Sequence, residues 1–259
     1  MKNLNKLWDE KPLFLIMTAA ALLRMLSVLF SKGFGMHDDH FLVIEAAQSW
    51  VDNFDYNNWL PSSSSTPSGH SWFYCNMHFV LFKLLQVFGI YNPEVKMYIV
   101  RFLHALLSLI TVYTGYRISE HLSGKHVARM AGLLLAVLWF MPMLSVRNLV
   151  EVVCVPFLML ATWLLIKPLR ISLWMNYALA GLIAGIAFSI RFQCILFIGG
   201  MGMVLLFQRN RKAFFAFQSV RFSVWLPCRE FMITYFGENL LPSFRLICNT
   251  TLITAAITS

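Results

Sequence analysis

Acidic residues are scarce in this chain, with 12 Asp and Glu among 259 residues against 21 Lys and Arg. Charged residues of both signs reach only 13%. A soluble domain needs about 25% to cover its surface, so an ordinary water-soluble globular fold is excluded. Cysteine is also sparse. Cys75, Cys154, Cys194, Cys228 and Cys248 are odd in number, widely scattered and without a Cys-x-x-Cys pair. They read as apolar packing residues, and neither a disulfide framework nor a zinc site follows. No internal repeat is visible, and no small-residue cleavage site follows the first apolar run, which reads as a retained span.

What is present is hydrophobic length. Apolar residues make up 58% of the chain, and its mean hydropathy is +0.65. At about 20 residues per crossing, the sequence predicts an all-α polytopic membrane protein with about six transmembrane helices. The net charge of +9 then reports orientation and anionic headgroups rather than nucleic acid.

Apolar stretches occur at about 13–31, 72–90, 97–116, 130–146, 149–166, 173–190 and 193–208. Charge decides whether 72–90 crosses. With the N-terminus cytoplasmic and 72–90 outside the bilayer, one face collects Lys2, Lys6, Lys11, Arg117, Lys125, Arg129, Lys167, Arg170, Arg209, Arg211 and Lys212. Only three acids, Asp9, Glu10 and Glu120, share that face. That is the positive-inside pattern. Residues 72–90, with His78 and Lys83 in their middle, therefore read as an interfacial amphipathic helix. The outer face takes Asp38, Asp39, Glu45, Asp52, Asp55, Glu94 and Glu151, with Lys32, Lys96, Arg147 and Arg191.

The first outer loop spans about forty residues. Phe41, Ile44, Ala47 and Val51 fall at helical spacing, so 38–51 predicts a second interfacial helix with its acids at the start, where the helix dipole favours them. Pro61–Gly69 is rich in Ser and reads as a flexible connection. A module over 1–218 is expected. The tail over 219–259 interrupts its apolar rhythm with Arg221, Pro227, Arg229, Glu230, Glu238, Pro242 and Arg245, and reads as truncated or frame-altered.

The candidate chemistry lies in Met36-His37-Asp38-Asp39-His40-Phe41-Leu42. Two adjacent carboxylates at a membrane face are costly unless they work. One can accept a proton from an attacking hydroxyl while its neighbour positions the acceptor or shifts the first group's pKa. The competing reading makes Asp38 a helix cap. His37 and His40 flank the pair too closely in sequence for several ligands to converge, so no metal site is expected. Arg147, Arg191 and Arg101 lie on the same face, and arginine grips phosphate with a planar fork. Each also has a plainer reading as a snorkelling interfacial residue. Arg147 with Glu151 four residues on reads equally as a structural ion pair. Arg24, deep in the first span, reads as held by an internal partner or by snorkelling. Trp50, Trp59, Trp72, Phe73, Tyr74 and Trp139 read mostly as belt aromatics.

The motif at 36–42 resembles the His-Pro-Asp-Glu-His-Phe-Gln signature of the lipid-linked mannosyltransferases that extend glycosylphosphatidylinositol anchors and N-glycan precursors. Ser71-Trp-Phe-Tyr-Cys75 is similar to their Arg-Ser-Tyr-Leu-Tyr-Pro stretch. Ser145–Glu151 is similar to their Arg-Thr…Asn…Glu segment, and Ile190-Arg191-Phe-Gln193 to their Arg-Pro-Thr. The likeness covers about 12–218; His37 stands for the family's Pro, Asp39 for its Glu and Cys75 for a Pro. It implies a C-type glycosyltransferase fold without a cofactor, in a bacterial inner membrane. It implies a polyprenyl-phosphate sugar donor, with mannose the expected hexose, and a glycan or glycolipid acceptor. Asp38 would be the general base and Asp39 its partner. Arg147, Arg191 and Arg101 would hold the donor phosphate, with His40 and Glu151 in support. The rivals are a transporter or lipid flippase, which needs ionisable groups at the bilayer midplane, and a non-catalytic remnant.

Overall fold

A computed structural model describes residues 2–33, 39–54 and 72–218, and every regular element among them is helical. The tail at 219–259, the Ser-rich connection and Asp38 itself lie outside the described residues. In order the elements are α1 Lys2–Glu10, α2 Pro12–Phe30, α3 His40–Glu45 (a π-helical turn), α4 Ala46–Val51, α5 Trp72–Val87, α6 Pro93–Val137, α7 Phe140–Ser145, α8 Val150–Ile166, α9 Leu173–Ile190 and α10 Cys194–Phe207. A helical segment at 211–218 follows.

Pro12 starts α2 because a first-turn proline loses no hydrogen bond. The helix then runs 19 residues, about 28 Å at 1.5 Å per residue, which matches the bilayer's hydrocarbon thickness. Asn92 caps α6 by accepting from the Glu94 N–H at 2.8 Å, ahead of Pro93.

The 45 residues of α6 are two spans. Gly124 has φ +82°, a conformation open to glycine at little cost, and the chain reverses there. The Arg24 guanidinium shows the reversal, since it bonds both Ser108 Oγ (2.7 Å) and the Ala136 carbonyl (3.4 Å). A straight helix would hold those two residues about 40 Å apart. Gly132 allows the two arms to close. A Cβ there would stand 3.0 Å from Tyr116 and 3.2 Å from Ile16. The predicted spans at 97–116 and 130–146 are thus the two arms, the second continuing through α7.

Helices α2, α6 and α9 are long and apolar enough to cross a membrane, while α8 and α10 are apolar and shorter. With α6 contributing two arms, the described residues hold six apolar segments, in line with the all-α membrane protein that the sequence predicts. Helices α8 and α9 approach through Ala161, Ala180 and Ala184, the small-residue packing that membrane helices favour. Asn176 seals their joint by donating to the Leu164 carbonyl (2.7 Å) and accepting from the Leu169 N–H (2.9 Å).

Helix α5 is not among the spans. Cys75, Phe79, Phe82 and Leu85 of its inner face pack on Trp50, Val51 and Val100. Its opposite face leaves Met77, Val80, Leu84 and Val87 exposed, an apolar stripe suited to the lipid interface. Lys83 Nζ donates to the Val51 carbonyl at 3.1 Å and ties α5 to the end of α4. Trp50 corrects the belt expectation: it is 4% exposed and belongs to this core.

Candidate functional site

Four chain segments meet at one end of the bundle: the end of α2, the start of α3, the 146–151 stretch that opens α8, and the end of α9. Asp39 lies just before α3. Its Oδ2 accepts the Val150 N–H at 3.0 Å, so an acid of the first outer loop caps the N-terminus of α8, 111 residues away. Helix N-termini carry unpaired N–H groups and partial positive charge, which suits a carboxylate. The Asp39 main-chain carbonyl also accepts from Asn148 Nδ2 at 2.7 Å. The cap expected of Asp38 on its own helix falls outside the described residues, and the cap that Asp39 makes serves a different helix.

Arg191, at the end of α9, pairs with Glu151 of α8 at 2.8 Å. Of the two readings of Arg147, the ion pair with Glu151 is not formed, since helix packing brings Arg191 to the carboxylate. Arg147 instead donates from Nη1 to the Gly33 carbonyl at 2.7 Å. Arg101 is 7% exposed, and its Nη1 reaches the Val28 and Ser31 carbonyls at 3.1 Å each. Those are carbonyls from the last turn of α2 and just beyond it, which need such donors. Arg101 also lies 4.6 Å over the Tyr98 ring. His40 Nε2 stands 3.6 Å from Glu45 Oε1, and its ring meets Phe41 edge-on.

Beneath Asp39 lies a polar chain that sequence reasoning missed. The Tyr74 hydroxyl is 2.6 Å from Asn148 Oδ1 and 2.7 Å from His104 Nε2. Asn148 donates from its amide nitrogen to Asp39, so its oxygen must accept, and the Tyr74 O–H donates to it. His104 Nε2–H then donates to the Tyr74 oxygen, which leaves Nδ1 as the bare nitrogen. That Nδ1 is buried without a partner among the described residues. His78 Nδ1 bonds the Tyr74 carbonyl at 2.9 Å. Its ring stands edge-on to Tyr74 at 4.6 Å.

Burial pushes the His78 pKa down to about 4, partly opposed by that backbone bond. Burial, with the nearby Asp39 carboxylate, holds the Tyr74 hydroxyl well above its ordinary value of 10. Both groups are thus neutral at pH 7 and act through hydrogen bonds. The available signal was Tyr74 and His78 one turn apart on a helix whose inner face is otherwise apolar.

Arg24 is 2% exposed and held by Ser108 Oγ and by the carbonyls of Ala20, Leu135 and Ala136. This is the internal-partner reading of that residue. Its contacts join α2 to both arms of α6, the pattern of a structural clamp rather than of a transported ion's site.

Together these contacts place one carboxylate-bearing segment, an arginine–glutamate pair and a capped helix start at a single end of a membrane bundle. Neither the curated proteins nor the solved structures yield a match. Residues 79–223 match the family described as dolichyl-phosphate-mannose-protein mannosyltransferase. The matched stretch contains Arg101, Arg147, Glu151 and Arg191, and it begins after Asp38, Asp39 and His40. It covers more than half of the chain and agrees with the lipid-linked glycosyltransferase resemblance of the sequence. The chain belongs to the dolichyl-phosphate-mannose-protein mannosyltransferase family.

Proposed function

We propose that this membrane glycosyltransferase moves a hexose, with mannose the expected sugar, from a polyprenyl-phosphate donor to an acceptor hydroxyl on the extracytoplasmic face. The family's description supports a lipid-linked mannose donor and names protein as the acceptor. The motif resemblance points to a glycan or glycolipid. All three acceptors present a neutral hydroxyl, so the chemistry at the donor is common to them. Orientation with the N-terminus cytoplasmic rests on the positive-inside distribution, and a bacterial inner membrane on the motif resemblance.

In this reading Asp38 takes the proton of the acceptor hydroxyl as its oxygen attacks the anomeric carbon. The bond from that carbon to the phosphate oxygen breaks with inversion, and the electron pair leaves with the polyprenyl phosphate. Arg147 and Arg191 stabilise the extra negative charge on the leaving phosphate, an electrostatic effect worth about 3 kcal/mol per well-placed donor. Glu151 aims Arg191, and Arg101, the third arginine expected at the phosphate, also holds the end of α2 through the Val28 and Ser31 carbonyls. Asp39 acts as a positioning residue, its carboxylate and carbonyl tied to Val150 and Asn148 at the start of α8. His40 supports the same turn.

The observation that carries this reading is the 3.0 Å bond from Val150 to Asp39, because it brings Asp39 to the segment that bears Arg147 and Glu151, the partner of Arg191. The test uses membranes holding the full chain, incubated with polyprenyl-phosphate mannose labelled in the sugar, with matched glucose donor alongside. Labelled product together with released polyprenyl phosphate supports the assignment. Donor left intact by membranes that contain folded protein contradicts it.

A further inference from the structure

The opposite end of the bundle holds a cavity of about 520 Å³, framed by α1, α2 and the first arm of α6 with its turn. That size lies within the range of small-molecule sites. Helix α1 is held there as a wall. Trp8 packs against the α2–α6 core, the Arg129 guanidinium lies 5.5 Å over its ring, and Arg129 also bonds the Asp9 carbonyl at 3.2 Å. The inner lining is apolar and aromatic: Leu13, Phe14, Met17, Tyr113 and Tyr116. Phe14 is 62% exposed, so part of the apolar lining is open to the surroundings.

Its charges are unequal in availability. All three acids of the lining are already paired: Asp9 with Arg129 at 3.5 Å, Glu10 with Lys6 at 3.9 Å and Glu120 with Arg117 at 2.8 Å. The cations Lys11 and Lys125 also line it, and neither has an acidic partner among the described residues. The net demand is for an anion at the mouth and a hydrocarbon stem along the wall.

We propose that this cavity binds the headgroup of an anionic glycerophospholipid from the leaflet at that end. Lys11 and Lys125 would hold its phosphodiester, and Met17, Tyr113 and Tyr116 would cover the glycerol and first methylenes. The site is separate from the glycosyltransferase end and owes nothing to the donor lipid.

The test is native mass spectrometry of the full chain in detergent, titrated with phosphatidylglycerol or phosphatidylcholine of the same acyl chains. One phosphatidylglycerol should be retained preferentially, and Lys11→Gln with Lys125→Gln should remove that preference, at about fivefold per lysine. Met17→Trp, which fills the cavity and keeps both charges, should also lose it, while Lys11→Arg with Lys125→Arg should keep it. Equal retention of the two lipids, or a phosphatidylglycerol preference unchanged in both the glutamine and the tryptophan variants, overturns the proposal. Displacement of the lipid by millimolar inorganic phosphate would also overturn it, by making free phosphate the ligand.

Discussion

The Asp39 carboxylate caps α8 through the Val150 N–H at 3.0 Å, joining two points that the sequence separates by 111 residues. The bond gives Asp39 an address within the bundle, its side chain anchored to a helix start.

Removal of that anchor should cost stability and activity together. Asp39→Ala leaves the α8 N-terminus without its charged acceptor and should lower stability by about 1–2 kcal/mol. Asp39→Asn keeps an acceptor oxygen and should lose less. Thermal unfolding of the two variants in detergent measures the difference, and equal melting temperatures would remove the cap from the account.

Tyr74→Phe deletes one oxygen but strands two partners, Asn148 Oδ1 and His104 Nε2–H. A buried polar group left unmatched costs about 1–3 kcal/mol. Tyr74→Phe should therefore destabilise more than the loss of an ordinary surface hydroxyl, and chemical denaturation is the measurement.

The Arg191–Glu151 pair should matter little to folding. Its side chains are 34% and 56% exposed, and such pairs contribute at most about 1 kcal/mol. A charge swap, Arg191→Glu with Glu151→Arg, should keep the melting temperature near that of the parent. Transfer should still fall by at least about tenfold, as expected when a phosphate-binding cation is moved. If the swapped protein turns over normally, Arg191 does not hold the phosphate.

Low pH should weaken the site end. His78 binds its proton at about pH 4 in the folded chain against 6.5 when unfolded. Between those values the unfolded state holds more protons. The contribution of His78 is thus complete above about pH 6.5 and is lost as pH falls toward 4, at no more than about 1.4 kcal/mol per pH unit. His78→Phe should flatten the melting-temperature profile in that window relative to the parent chain.

Much of the architecture was legible because a bilayer imposes length. Gly124 falls midway between two apolar stretches, and the chain turns there. The charge argument that kept 72–90 out of the membrane agrees with α5 being absent from the candidate spans. The contacts at the site were less legible. Nothing in the spacing of Arg147 and Glu151 shows that packing of α8 on α9 will bring Arg191 to the glutamate. The buried position of Tyr74 was equally hidden, since its partners Asn148 and His104 lie on other helices. Of the helically spaced Phe41, Ile44, Ala47 and Val51, the last three are buried and Phe41 is half-buried. The π-helical turn at His40–Glu45 had no signal in the pattern.

The most direct measurement compares the parent chain with Asp38→Asn, at matched membrane levels, for transfer of labelled mannose from polyprenyl-phosphate mannose. The account predicts label in product for the parent and a loss of at least about a hundredfold in Asp38→Asn, as expected when a general base is removed, with insertion and melting temperature preserved. Undiminished transfer by folded Asp38→Asn protein would contradict it and move the proton acceptor elsewhere.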